Sequence, residues 1–148
     1  MGNTTVRFAN KQDIDKIIAY LKRANLGTEG VENAIDYFLV MENEFGELAG
    51  TLGIEPVGDI GLLRSLAVSA ALDETDILLL FNKMLFHAKD KNLAKLYLAT
   101  NNSGSQAFFE LIGFKRIEKG HLPQQLLEIS HVKTIFTVDN SLFMELSL

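Results

Sequence analysis

The stretch from Leu62 to Ala99 restricts the fold more than any other part of the chain. Leu62-Leu63-Arg64-Ser65-Leu66-Ala67-Val68 has the make-up of a central strand, and from about Asp76 to Ala88 the residues Ile77, Phe81, Met84, Leu85 and Ala88 recur at helical spacing. Leu93 to Ala99 then forms a second strand. Two strands joined by a helix of this length lie parallel, with a right-handed crossover. No glycine occurs anywhere between Leu62 and Ser103.

The rest of the sequence supplies neighbours for this unit. Thr4 to Ala9 alternates as a first strand. Asn10 followed by Asp13 caps a helix whose Ile14, Ile17, Ile18 and Leu21 share one face. Gly27-Thr28-Glu29-Gly30 breaks the chain before a short helix over Val31 to Ala34 and a strand from Tyr37 to Met41. Glu44 to Glu47 turns into a strand over Leu48 to Glu55, where Gly50 and Gly53 mark bulges or close backbone approach, and Pro56 to Gly61 makes the next turn. Later, Asn102 or Ser103 caps a helix carrying Ser105, Phe108, Phe109 and Ile112, which Gly113 stops. Phe114 to Glu118 and Ser141 to Leu148 read as strands, with helical turns from Gln124 to Ser130. This is an α+β, mixed α/β pattern in one domain over 1–148.

A chain of 148 residues, 47% hydrophobic, can bury a sizeable core. Its net charge of -5 and lack of a basic cluster argue against a nucleic-acid partner. No apolar run approaches 18 residues, so no membrane span is expected. The start MGNTT lacks the regions of a signal peptide, and Val6 breaks the myristoylation pattern. Without cysteine there is no disulfide or zinc-thiolate site, which fits a cytoplasmic protein. His87, His121 and His131 show no metal-ligand spacing and read as surface or loop residues, so no metal is expected.

The order of elements resembles the GNAT N-acetyltransferase family over nearly the whole chain. The residues that carry the likeness are Leu63-Arg64-Ser65-Leu66-Ala67-Val68 before the crossover helix and Phe108-Phe109-Glu110-Leu111-Ile112-Gly113-Phe114 after it. Gly53-Ile54-Glu55-Pro56-Val57-Gly58, Leu62 to Leu66 and the tail from Leu122-Pro123 are similar to small bacterial acetyltransferases associated with arsenic resistance. Those relatives carry a Cys-Pro pair where this chain has Val138-Asp139. The resemblance implies the GNAT fold: a mixed, mostly antiparallel sheet of about six or seven strands, splayed at the middle and flanked by about four helices. It implies acetyl-CoA as cofactor, with the backbone of Leu66, Ala67 and Val68 along the pantetheine arm. Asn102 and Ser105 would lie near its thiol and adenosine side, although Asn102 also reads as a plain helix cap. Phe109 stands where many members have a tyrosine acid, and phenylalanine has no proton to donate.

The family's pyrophosphate loop is an Arg or Gln followed by Gly-x-Gly or Gly-x-Ala at a helix start. Glycines let backbone N–H groups crowd the anion, and the helix N-terminus adds partial positive charge. Here Asp73 takes the basic position, Asp76 and Leu78 take the glycine positions, and Glu74 is an acidic spacer. One carboxylate about 6 Å from a phosphate charge costs roughly 3 kcal/mol at an effective dielectric of about 20. Asp73 and Asp76 also read as an N-cap and a third-position carboxylate that stabilise the helix start. Leu78 would fill space that a cofactor uses elsewhere.

Three residues remain as candidate chemistry. Glu55 is the best-placed base for deprotonating an amine, or a solvated turn residue. Arg64, a cation among leucines, implies either an ion pair with Glu55 or Asp59 or an anionic substrate group. Tyr37 offers a hydroxyl. The expectation is a GNAT-fold, acetyltransferase-like protein that has lost its pyrophosphate site. It would be non-catalytic or weakly active and would bind another small ligand or a protein partner, with a homodimer as one form. Exposed apolar surface around Leu78, Leu79 and Leu80 would favour such a partner. The alternative is an active acetyl-CoA-dependent N-acetyltransferase on a small amine or amino-acid-like substrate, with an altered cofactor mode.

Overall fold

The computed structural model describes residues 4–100, 105–128 and 142–148. Among these, seven strands form one sheet: β1 (Thr5–Phe8), β2 (Phe38–Glu42), β3 (Leu48–Val57), β4 (Ile60–Val68), β5 (Lys95–Thr100), β6 (Lys115–Ile117) and β7 (Leu142–Ser147). Their order is β1-β2-β3-β4-β5-β7-β6, and every neighbouring pair is antiparallel except β4 and β5. Four helices accompany them: α1 (Ile14–Arg23), α2 (Glu74–Asp90), α3 (Gln106–Ile112) and α4 (Gln124–Leu127). The expected α+β architecture with its parallel crossover is therefore present. Among the described residues, no helix is long and apolar enough to cross a membrane.

Both sheet faces are buried, in different ways. Leu39, Met41, Leu52 and Ile54 pack against Leu80, Phe81, Met84 and Ala88 of α2 and against Phe109 and Phe114. On the opposite face, Phe38, Val40 and Ala67 meet Ile17 and Leu21 of α1, with Ile14 and Ile18 at the margin. A third cluster on Leu62, Tyr97 and Phe143 is covered by Leu122 and Leu126. Alternation along each strand sends successive side chains to these opposite faces.

The Asn10 cap forms as expected. Asn10 accepts from Gln12 N at 2.9 Å, and Asp13 accepts from Asn10 N at 2.8 Å. The two residues close a capping box on a 3-10 turn that leads into α1.

Several boundaries differ from the sequence reading. Val31 to Ala34 forms turns rather than a helix, and a 3-10 turn follows at Ile35–Tyr37, so Tyr37 precedes the strand instead of opening it. β3 runs on through Pro56, which pairs with Gly61, and the turn shrinks to Gly58 and Asp59. His87 is buried in α2, not on the surface: its Nε2 donates to the Asp36 carbonyl at 2.8 Å and its ring stacks on Phe8 at 4.6 Å. Leu80 is fully buried and Leu78 half-buried, which leaves Leu79 as the exposed member of that apolar run. Asn102, Ser103, His131, Val138, Asp139 and Ser141 lie outside the described residues.

Candidate ligand-binding cleft

The cleft is made by one irregularity in β4. Thr51 pairs with Ala67 and Gly53 with Arg64, so two steps along β3 match three along β4. The extra residue is Ser65, held at φ +59°. A bulge of this kind bends its strand and shifts the side-chain phase by one. Leu63 and Leu66 therefore meet the α2 side of the core, whereas Ala67 packs on the α1 side. The buried Thr51 hydroxyl donates to the Ser65 carbonyl at 2.8 Å, which fixes the bulge. On its other edge β4 pairs with β5 only from Ile60 to Leu62, against Lys95 to Tyr97, and then the two strands part.

A cavity of about 360 Å³ opens in that wedge, lined by Leu52, Leu63, Leu66, Phe81, Leu98 and Phe109, with Arg64, Ser65, Ala99, Thr100 and Ser105. Phe109 is almost wholly buried and meets Phe81 edge-on at 5.7 Å and Phe114 at 6.2 Å. On the α1 side a second cavity of about 470 Å³ lies between the 26–30 loop and the sheet, lined by Leu26, Gly27, Glu29, Gly30, Glu55 and Arg64 among others.

Arg64 dominates the second cavity. Phe38, Gly53 and Arg64 stand in one row across β2, β3 and β4, and the guanidinium lies 5.9 Å from the centre of the Phe38 ring. The ring can lie over β3 because position 53 has no side chain: a Cβ there would come 2.5 Å from Phe38 Cζ. Arg64 Nε donates to Ser65 Oγ at 3.0 Å, and Nη1 reaches Glu55 Oε1 at 3.4 Å. That last distance is long for a charged pair. Burial pushes the Arg64 pKa down, and the nearby Glu55 and Glu29 carboxylates oppose the shift. The guanidinium is thus a largely desolvated cation with weak compensation, facing a cavity large enough for a small molecule.

The expected pyrophosphate position looks different. Asp73 is the N-cap of α2 and accepts from Asp76 N at 2.9 Å, while Asp76 accepts from Asp73 N at 3.2 Å and from Thr4 Oγ1 at 3.1 Å. Each carboxylate thus takes up one backbone N–H at the start of α2, and together they place negative charge there. Glu74 is exposed beside them.

Of the residues singled out from sequence, the structure brings Glu55 and Arg64 together at the α1-side cavity, and Leu66, Ser105 and Phe109 together in the wedge. Ala67 and Val68 line an adjoining groove with Tyr20 and Arg23. Tyr37 is elsewhere: its half-buried ring faces His87 and lies 5.2 Å from Lys91 Nζ, on the α2 face of the sheet. Arg64 stands on the opposite face of the sheet, so the two candidate substrate residues do not share a cavity. Sequence reasoning missed Glu29 and Gly30 as cavity walls and Thr51 and Ser65 as makers of the bulge. The Gly-Thr-Glu-Gly break was a signal for the first pair. A non-glycine residue at positive φ leaves none.

No family model matches the chain. It is 35% identical over 127 residues, 85% of each chain, to the Bacillus subtilis (strain 168) protein described as uncharacterized protein YwlB. Its fold matches an acetyltransferase of the GNAT family from Staphylococcus aureus Mu50 with a TM-score of 0.76 and 18% identity, over 99% of both chains. N-acetylglutamate synthase from Neisseria gonorrhoeae, complexed with coenzyme A and N-acetyl-glutamate, matches with a TM-score of 0.76 and 24% identity over 99% of this chain. The match spans 35% of the synthase's length.

Proposed function

The chain belongs to the family of Bacillus subtilis YwlB and is built on the GNAT fold, and from that premise we propose that it is a binding protein for a small carboxylate-bearing molecule, without ordinary acetyl-CoA turnover. The observation that carries this reading is the reciprocal capping of Asp73 and Asp76, which sets two carboxylates at the helix start where an anion would otherwise sit. Arg64 supports the ligand assignment. A desolvated guanidinium with one long contact to Glu55 gains more from a bound carboxylate than from its resting partner.

Calorimetric titration tests the reading with three ligands: acetyl-CoA, coenzyme A and N-acetylglutamate. The two coenzyme A compounds should give no binding below millimolar concentration, whereas N-acetylglutamate should bind and should lose affinity in Arg64→Gln. Micromolar acetyl-CoA binding would overturn the assignment.

That outcome would support the second reading, an N-acetyltransferase that acts on a small amine or amino-acid-like substrate and holds its cofactor chiefly along β4. The parting of β4 from β5 and the wedge beside Ser105 favour it. Glu55, on the wall of the α1-side cavity, would then accept the amine proton.

A further inference from the structure

Resting on the carboxylate-binding reading, we propose that Ser65 is a positioning residue: its hydroxyl holds the Arg64 guanidinium in the pose that receives the ligand, and the strained backbone at this position is kept for that hydroxyl. The bulge itself does not need the side chain. Thr51 Oγ1 donates to the Ser65 carbonyl at 2.8 Å, a bond that any residue at position 65 can accept. At φ +59° glycine carries the least strain, whereas a residue with a Cβ is held there against its own preference. A serine at that angle inside a strand points to a use for its Oγ.

That use is the contact with Arg64. Adjacent residues of a regular strand project to opposite faces, so the side chains at 64 and 65 would not meet. The left-handed backbone at Ser65 brings them together, and Arg64 Nε donates to Ser65 Oγ at 3.0 Å. Three further contacts surround the same group. Its Cζ lies 5.9 Å from the centre of the Phe38 ring, Nη1 reaches Glu55 Oε1 at 3.4 Å, and a Cβ on Gly30 would come 3.1 Å from Nη1. Because Nε is taken by the serine, a carboxylate in the α1-side cavity meets the guanidinium through its Nη1 and Nη2 end rather than along the Nε edge. An arginine left loose would have to give up rotamer freedom on binding, and the bond to Ser65 removes part of that loss in advance.

The test sets affinity against stability in two variants of the full chain, Ser65→Gly and Ser65→Ala. Both should weaken calorimetric binding of N-acetylglutamate about tenfold, the equivalent of one hydrogen bond to a charged group. Ser65→Gly should nonetheless melt at or above the temperature of the native chain, because it relieves the strain and keeps the bond from Thr51. In an Arg64→Lys background, where no N–H stands at the Nε place, Ser65→Ala should change the affinity no further. Without ligand, the Arg64 Nε–H proton should exchange slowly with solvent in the native chain and rapidly in both variants, as read by NMR. Unchanged affinity in the two variants overturns the role of Ser65 and leaves the carboxylate reading standing. A joint fall of affinity and melting temperature in Ser65→Gly overturns it too, since the serine is then structural, and so does an equal loss in the Arg64→Lys background. If the native chain does not bind N-acetylglutamate, the carboxylate reading fails, and unchanged exchange of the Nε–H proton in the variants then overturns the hold on Arg64 separately.

Discussion

Asp73 and Asp76 cap one another: each carboxylate accepts the backbone N–H of the other, at 2.9 and 3.2 Å, across the first turn of α2. Phosphate-binding loops leave those N–H groups available and place no acid beside them. The same two residues that stabilise this helix therefore oppose an anion at its end.

Two substitutions separate these effects. Asp73→Ala should cost about 1 kcal/mol of stability in denaturant unfolding, the usual loss of an N-cap. Asp73→Arg combined with Asp76→Gly and Leu78→Gly should lower stability further, by about 1 kcal/mol for each helical glycine, yet create calorimetric affinity for coenzyme A. No gain in that affinity would show that the cleft excludes the cofactor elsewhere as well.

Replacing Arg64 should reveal a cost of function. Its side chain is only 10% exposed and its contact with Glu55 is long, whereas Glu55 is 29% exposed. Arg64→Met should raise stability by about 1 kcal/mol, since apolar replacement of a poorly compensated buried charge is commonly neutral or stabilising. The same variant should lose N-acetylglutamate binding. A fall in melting temperature would mean that the guanidinium is structural.

Gly53→Ala should destabilise the fold by about 1–3 kcal/mol through overpacking against Phe38, whose ring atoms lie 2.5 to 2.7 Å from the added Cβ. Because the strain is mutual, Phe38→Leu with Gly53→Ala should cost less than the sum of the single changes, as read by a double-mutant cycle.

Acid should unfold the protein partly through Asp13. Arg7 donates to both of its carboxylate oxygens, at 2.9 and 2.8 Å, and this pairing holds the Asp13 pKa below the ordinary value. A carboxylate with a depressed folded-state pKa contributes fully above its unfolded value, near pH 4, and that contribution fades as pH falls toward the folded value. Asp13→Asn should be less stable than the native chain at neutral pH by about 1–3 kcal/mol. The difference should shrink below about pH 4 in urea titrations. A gap that stays constant from pH 7 to pH 3 would rule the linkage out.

The parallel crossover, the Asn10 and α2 caps, the hairpin before Leu48 and the stop at Gly113 were all legible in the sequence, because each rests on residues within a few positions of one another. Period, cap and turn are local physics. The acidic cap of α2 was legible for the same reason, since Asp73 and Asp76 form one turn. Arg64 was visible as an anomaly, a charge among leucines, but its surroundings were not.

Only the tertiary structure decided the cleft. The bulge at Ser65 depends on Thr51, fourteen residues earlier, and the seat of Arg64 depends on Phe38 crossing Gly53 from another strand. Tyr37 and His87 met because α2 packs over the 3-10 turn before β2, a contact between residues too far apart in sequence to leave a local signal. By itself the sequence determined the elements, their order and the acidic cap at the start of α2. Long-range pairing then determined which face, which neighbour and which cavity each side chain received, since a shift of one residue in a strand exchanges its two faces.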